Sequence, residues 1–376
     1  MKKVFILICA LIVYGSLYPF DFGSMGPGDW DHLLESWQGR TFRSDILSNI
    51  VLFVPLGYFG VLAWGRRWWL VVLAMGLGVA LQLLQLFLPS RDANLLDVIW
   101  NLLGAGLGAT LTALPLARWS PRGGRLHREE AFVLLLLGAW VAYRLLPFVP
   151  SLDWQAIKDS LKPLLLHPRL DYLDLLRNTI SWATVAVLWP TLWHGRHPWR
   201  WLLVLGGGVF FLEVLIVDNI LSLANVLGLV LGLMLWRSLQ LLRQATMTMA
   251  ALLAVALLVE GLRPFELAAR PGVFHWLPFY GFLGGSMLIN IAALLEKIFL
   301  YGALLWLGYL AMGTLRTIVL VLVVLTAGVE FAQIFIVGHT AEITDPLLVL
   351  CLALVLKVSV PQRDADAMPA AIKADR

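Results

Sequence analysis

A chain of 376 residues that is 60% hydrophobic and only 14% charged is not an ordinary soluble globular protein, whose charged share is about 25%. The net charge of +4 is spread along the sequence without a basic stripe, which excludes a nucleic-acid footprint and leaves a membrane protein. The two cysteines, Cys9 and Cys351, each sit inside an apolar run, so no disulfide framework is expected.

The N-terminal MKKVFILICALIVYGSLYPF places Lys2 and Lys3 before an apolar stretch. No small-residue cleavage site follows, and the segment reads as an uncleaved first helix. A spanning helix needs about 20 mainly apolar residues. By that rule helices are expected near 3–18, 46–64, 68–88, 95–116, 130–147, 173–192, 199–217, 219–237, 246–262, 284–310, 314–337 and 343–360. With the N-terminus inside, the inner loops hold Arg66 and Arg67, Arg118 to Arg128, Arg196 and Arg200, Arg237 and Arg243, and Arg316. The tail with Arg363, Lys373 and Arg376 falls on the same side. This positive-inside bias implies a multi-pass protein with both termini in the cytoplasm.

The longer outer loops each begin with a Pro-Phe pair: Pro19-Phe20, Pro147-Phe148 and Pro264-Phe265. The segments that follow, GDWDHLLESWQ, SLDWQAIKDSL and GVFHWLPFYGF, are expected to be short interfacial helices anchored by Trp30, Trp37, Trp154 and Trp276. Next comes a helix with an asparagine four residues after a polar residue: Asp45/Asn49, Asp174/Asn178, Ser286/Asn290. Asp97, Asn101, Gly104 and Gly108 find a partial echo in Asn225, Gly228 and Gly232. Gln82, Gln85, Arg91 and Asp97 correspond in spacing to Glu330, Gln333, His339 and Asp345. The expected architecture is an all-α polytopic membrane protein of about twelve spanning helices. They form three degenerate parallel four-helix repeats, at 1–125, 126–243 and 244–376.

Asp97, Asn101, Gly104 and Gly108 share one helix face, and the glycines admit a close neighbour. Gln82 and Gln85 share a face of the preceding helix, and Arg91 and Asp92 sit in the turn between. In one reading Arg91 pairs with Asp97 and the amides bond between helices. In the other, intramembrane ionisable groups mark a binding or reaction site. Glu296 and Lys297 are sequence neighbours and so point apart on a helix; Glu330 is the expected mate of Lys297. No metal-ligand, nucleophile-elbow or phosphate-loop motif is present, so neither a metal, a cofactor nor a recognisable enzyme chemistry is expected.

DILSNIVLFVPLGY (45–58) and QLLQLFLPSRDANLLDVIWNLLGAGLG (82–108) resemble the VanZ-like family, named for a teicoplanin-resistance-associated membrane protein. The motif positions are Asn49, Phe53, Pro55, Gly57, Gln85, Arg91, Asp97, Asn101 and Gly104, with Gln82 where the family usually has glutamate. Glu330 supplies that glutamate in the third repeat, where His339 and Val349 replace Arg91 and Asn101. The resemblance implies a bacterial inner-membrane protein of the cell envelope and brings no mechanism. The expected ligand set is Asp45, Asn49, Gln82, Gln85, Arg91, Asp97, Asn101, Asn290, Glu330, Gln333, His339 and Asp345. The expected partners are the bilayer and an anionic lipid-linked glycan precursor at the outer leaflet, with Arg91 on the head, and an effect on glycopeptide susceptibility. A transporter or flippase coupled through Glu213, Glu296 and Glu330 is the alternative. An enzyme using Glu330 or Asp97, and a non-catalytic scaffold, stand behind it. Oligomeric state is not legible.

Overall fold

The computed structural model describes residues 2–26, 28–38, 43–65, 68–112, 128–166, 168–193, 198–217, 219–283 and 287–359. The chain divides into two compact units, Met1–Trp119 with Leu283–Met287, and Ser120–Phe282 with Leu288–Arg376.

The first unit contains α1 (Lys2–Leu17), α2 (Asp29–Glu35), α3 (Arg43–Trp64), α4 (Trp69–Gln85) and α5 (Leu95–Leu111). The rest of the chain forms α6 (Arg128–Leu145), α7 (Trp154–Leu165), α8 (Tyr172–Leu192), α9 (Pro198–Leu215), α10 (Leu223–Leu239), α11 (Ala245–Gly261), the single turn α12 (Tyr280–Leu283), α13 (Met287–Met312), α14 (Leu315–Gln333) and α15 (Thr344–Ser359). All but α2, α7 and α12 overlie the expected apolar segments, with ends shifted by a few residues.

Three of the described helices are long and apolar enough to cross a membrane: Pro198–Leu215, Ile289–Met312 and Leu315–Gln333. Ser48–Trp64, Trp69–Gln85, Leu95–Leu111, Leu223–Leu239 and Ala245–Gly261 are apolar but shorter. The outward faces are apolar as well. Val71 on α4, Val204 and Phe211 on α9, and Leu320 and Val324 on α14 are each at least 60% exposed. Such faces would be a liability in water and are ordinary in lipid. The protein is a membrane protein.

Helix starts follow local capping chemistry. The side chains of Asn94, Asp153, Asp171 and Ser222 accept main-chain N–H bonds at the starts of α5, α7, α8 and α10. Asp171 takes those of Leu173 and Asp174 and also pairs with Arg263 at 3.1 Å. The capping amides, with Arg263 adding to them, hold its carboxyl below the usual carboxylate range. Its contribution to stability is therefore complete above the ordinary carboxylate range and lost as pH falls through the lowered folded value. Thermal unfolding of Asp171→Asn in detergent should show less dependence on acid pH than the wild type. An unchanged dependence would mean that the cap contributes nothing.

Two of the three expected interfacial helices form, the first as α2 with a 3-10 turn at Ser36–Gln38 and the second as α7. The third does not: GVFHWLPFYGF is helical only in α12. His275 instead donates its N–H to Ala341 O and accepts that of Ile343, a strand-like pairing that competes with helix. Trp30, Trp37, Trp154 and Trp276 are all exposed, as interface anchors are.

The core of the second unit centres on Trp140 and Trp182, fully buried in edge-to-face contact at 4.6 Å, with Trp140 Nε1 donating to Ser181 Oγ. In the first unit Phe5, Ile12, Phe53, Leu56 and Leu81 form the core. There α3 and α5 meet through glycine: an added Cβ would lie 1.8 Å from Ala105 O at Gly57 and 2.2 Å from Ile50 O at Gly104.

Candidate functional site

Polar side chains gather at the C-terminal end of α1. Gln85 Nε2 donates to Ser16 O at 2.8 Å. Arg91 Nε donates to Tyr18 O at 2.8 Å and its Nη2 to Gly15 O at 3.2 Å. These are the orphan carbonyls of a helix end, where a cation is also favoured by the dipole. Arg91 therefore does not make the pair with Asp97 that one reading of the sequence offers. The guanidinium expected to meet an anionic head is turned on to main-chain oxygen. The buried Gln82 fixes the next turn, its Oε1 accepting from Asn94 N at 2.7 Å. Asp97 stands in the first turn of α5, where its charge suits the helix N-terminus. Asn101 is buried on the same helix, Asn49 is half-buried on α3, and the side chain of Asp45 lies outside the described residues.

Three cavities lie among the described residues of the second unit. The widest, about 780 Å³ between the start of α14 and the end of α15, holds none of the expected site residues. Of the other two, the first, of about 300 Å³, is lined by α8, α11, α13, α14, the segment before α15 and the first turn of α15. Its deep wall is apolar, with Leu253, Leu257, Leu304 and Leu322. Its other end is charged. Arg177 Nε and Nη2 grip Glu296 Oε1 at 2.8 and 2.6 Å. Lys297 Nζ bonds Asp345 Oδ1 at 2.6 Å, and the Tyr301 hydroxyl donates to Asp345 Oδ2. Lys297 thus takes Asp345 as its partner and not Glu330. Glu330 is buried and accepts from Glu342 N at 2.8 Å. Gln333 Nε2 donates to Gly261 O at 2.8 Å, and His339 Nε2 contacts Arg263 O. Glu330, Gln333, His339 and Asp345 all line this cavity, whereas Asn290, half-buried near the start of α13, does not.

The second cavity, of about 290 Å³, is polar. Arg144, buried on α6, bonds Glu213 Oε1 of α9 through Nε at 2.7 Å and Asn178 Oδ1 of α8 through Nη1 at 3.3 Å. Its guanidinium lies over the rings of Trp140 and Trp182 at 5.4 and 5.6 Å. Arg177 lines both cavities. Neither Arg144 nor Arg177 stands in the site expected from the sequence. The signal for them is there: an arginine inside the apolar run AWVAYRLLPF, and another between Asp174 and Asn178.

Residues 5–117 match the VanZ/LLP1 family model. No curated protein and no solved structure matches the chain. The match covers the helices of the first unit, and the geometry gives its motif a physical basis. Gly57 and Gly104 let α3 and α5 touch backbone to backbone, while the Gln85 amide and the Arg91 guanidinium close the end of α1. The VanZ-like unit shares details with the rest of the chain. Glu330 bonds the main-chain N–H twelve residues on, as Gln82 does. Gln333 reaches the carbonyl three residues before Pro264, as Gln85 reaches that three before Pro19. Asn219 Nδ2 reaches Arg144 O, three before Pro147, at 3.0 Å. Phe20, Phe148 and Phe265 all adopt positive φ, at 66, 60 and 66°.

Proposed function

We propose that this is an inner-membrane protein of the bacterial cell envelope, with both termini cytoplasmic and about twelve spans. On this reading the chain carries three successive VanZ-like units of four helices, meeting near residues 125 and 243. The helix-end bonds to Ser16, Arg144 and Gly261 support the repeat. The match of residues 5–117 to the VanZ/LLP1 family supports a part in glycopeptide susceptibility, as the resemblance implies. The protein's role is to bind an amphiphilic envelope precursor at the outer leaflet.

One observation carries this reading: a single cavity in the second unit that is apolar along one wall and charged at one end. Such a lining suits a molecule with a hydrocarbon part and a polar head. The charged end has five carboxyl side chains, Glu260, Glu296, Glu330, Glu342 and Asp345, against Arg177 and Lys297. Both cations are already paired. That balance favours an uncharged or cationic head over the anionic one expected from Arg91, since an unpaired anion beside excess carboxylate is repelled.

The test is mass spectrometry of lipids co-purifying with the wild type and with Leu257→Trp, which fills the apolar wall. A specific amphiphile should accompany the wild type and be absent from the variant at equal membrane abundance. Identical lipid profiles would defeat the reading.

A further inference from the structure

The polar cavity of the second unit has a ligand chemistry of its own. Glu213 is 4% exposed, and only its Oε1 is bonded, to Arg144. Its Oε2 is buried without a hydrogen-bond partner among the described residues. The large majority of buried side-chain polar atoms have a hydrogen-bond partner. Glu213 lines a cavity of about 290 Å³, far more than the roughly 30 Å³ share of one water.

The other walls offer a mixed set of hydrogen-bonding groups. Asn178 is engaged at both ends, by Arg144 Nη1 and by Asp174 O. The Asn219 amide is held on Arg144 O. Ser222 Oγ accepts from Asn225 N at 3.2 Å, which leaves its hydroxyl proton to donate. The Asn225 side chain lines the same space and presents both a donor and an acceptor. Among the described lining residues each charged side chain already has a partner: Arg144 with Glu213, Arg177 with Glu296 and Asp174 with Arg263. A lining whose charges are already paired gives no advantage to an ion. It suits a neutral group with several hydroxyls, each able to donate to the carboxylate and exchange bonds with the amide and hydroxyl.

The geometry points to this cavity as a site for a neutral polyhydroxyl group of the sugar type, held by Glu213 Oε2, Ser222 and Asn225. Arg177 lines both this cavity and the amphiphilic one; on the amphiphile reading the sugar would extend beyond the head that sits at the charged end of the latter. That placement rests on the amphiphile reading, but sugar binding does not.

Native mass spectrometry of the full chain in detergent separates the two. The probes are methyl glucoside, a glucosyl diacylglycerol and inorganic phosphate, each offered to the wild type, Asn225→Leu, Glu213→Gln and Leu257→Trp. The wild type should retain the glucose-bearing probes and not phosphate. Asn225→Leu, at a half-buried position that leaves the Arg144–Glu213 pair intact, should weaken retention by about tenfold for each hydrogen bond of ~1.4 kcal/mol lost. Glu213→Gln should do the same wherever it accumulates as folded protein. Leu257→Trp should lose the lipid-borne sugar and keep the soluble one. Retention of the lipid-borne sugar alone assigns the site to a lipid head. Retention of the soluble sugar alone upholds the site while defeating the amphiphile reading. No retention of either sugar, equal retention in Asn225→Leu, or retention of phosphate instead overturns the assignment.

Discussion

Arg144→Leu should destabilise the second unit by about 3–5 kcal/mol, the usual cost of stranding one member of a buried ion pair. Arg144 and Glu213 have side chains only 4% and 6% exposed, 2.7 Å apart, on helices that are apolar outside. Removing the guanidinium leaves a buried carboxylate with no counter-charge. It also withdraws the cation from the faces of Trp140 and Trp182 and the donor from Asn178. Glu213→Leu should cost a similar amount, because it strands the cation. The double replacement should recover most of the loss, since an apolar pair of similar size carries no desolvation penalty. Denaturant titrations in detergent over the four proteins give the coupling energy directly. If Arg144→Leu unfolds at the wild-type midpoint, the pair is solvated and contributes nothing to the fold.

Helix positions are legible in the amino-acid sequence, because long apolar runs separated by Pro, Gly and Arg are local signals. The gathering of Gln82, Gln85 and Arg91 is legible too, because a spacing of three, followed by a short turn, constrains where they go. Their partners are not. The sequence offers Arg91 either Asp97 or a ligand, but its guanidinium goes to carbonyls at the end of α1, which no side-chain pattern records. Matching charges suggest Glu330 for Lys297, yet Asp345 holds it. Which acid a lysine meets depends on how neighbouring helices are rotated, and that comes from packing. The third interfacial segment departs from helix for a similar reason: its backbone finds a partner at Ala341 and Ile343, far away in sequence. Arg144 and Arg177 stand out as charges in apolar context, but they belong to no recurring spacing, so only the fold brings them to a common cavity.

Gly104→Ala should separate α3 from α5 and cost the VanZ-like unit about 1–3 kcal/mol or more, and Gly108→Ala should do likewise. An ideal Cβ would lie 2.2 Å from Ile50 O in the first case and 1.9 Å from Val54 O in the second. Both obstacles are main-chain atoms of a helix, which cannot swing aside as a side chain would. Gly106, on the same helix, has nothing within 4 Å of its added Cβ. Gly106→Ala should therefore be neutral or stabilising by up to about 1 kcal/mol through helix propensity alone. Thermal unfolding in detergent that ranks all three variants together would show that α5 does not pack through its glycine face. The same argument reaches the second unit, where a Cβ at Gly228 would lie 2.5 Å from that of Asn178. Gly228→Ala should thus displace an asparagine bonded to Arg144 and weaken the polar cavity as well as the fold. In the proposed third copy, Val349, Leu352 and Leu356 follow Asp345 at the spacings of Asn101, Gly104 and Gly108 after Asp97. Bulky side chains there hold neighbouring backbones apart, and it is beside Asp345 that the amphiphilic cavity opens. Close glycine contact makes the VanZ-like unit compact; on the three-copy reading its loss in the last copy would leave room for a guest.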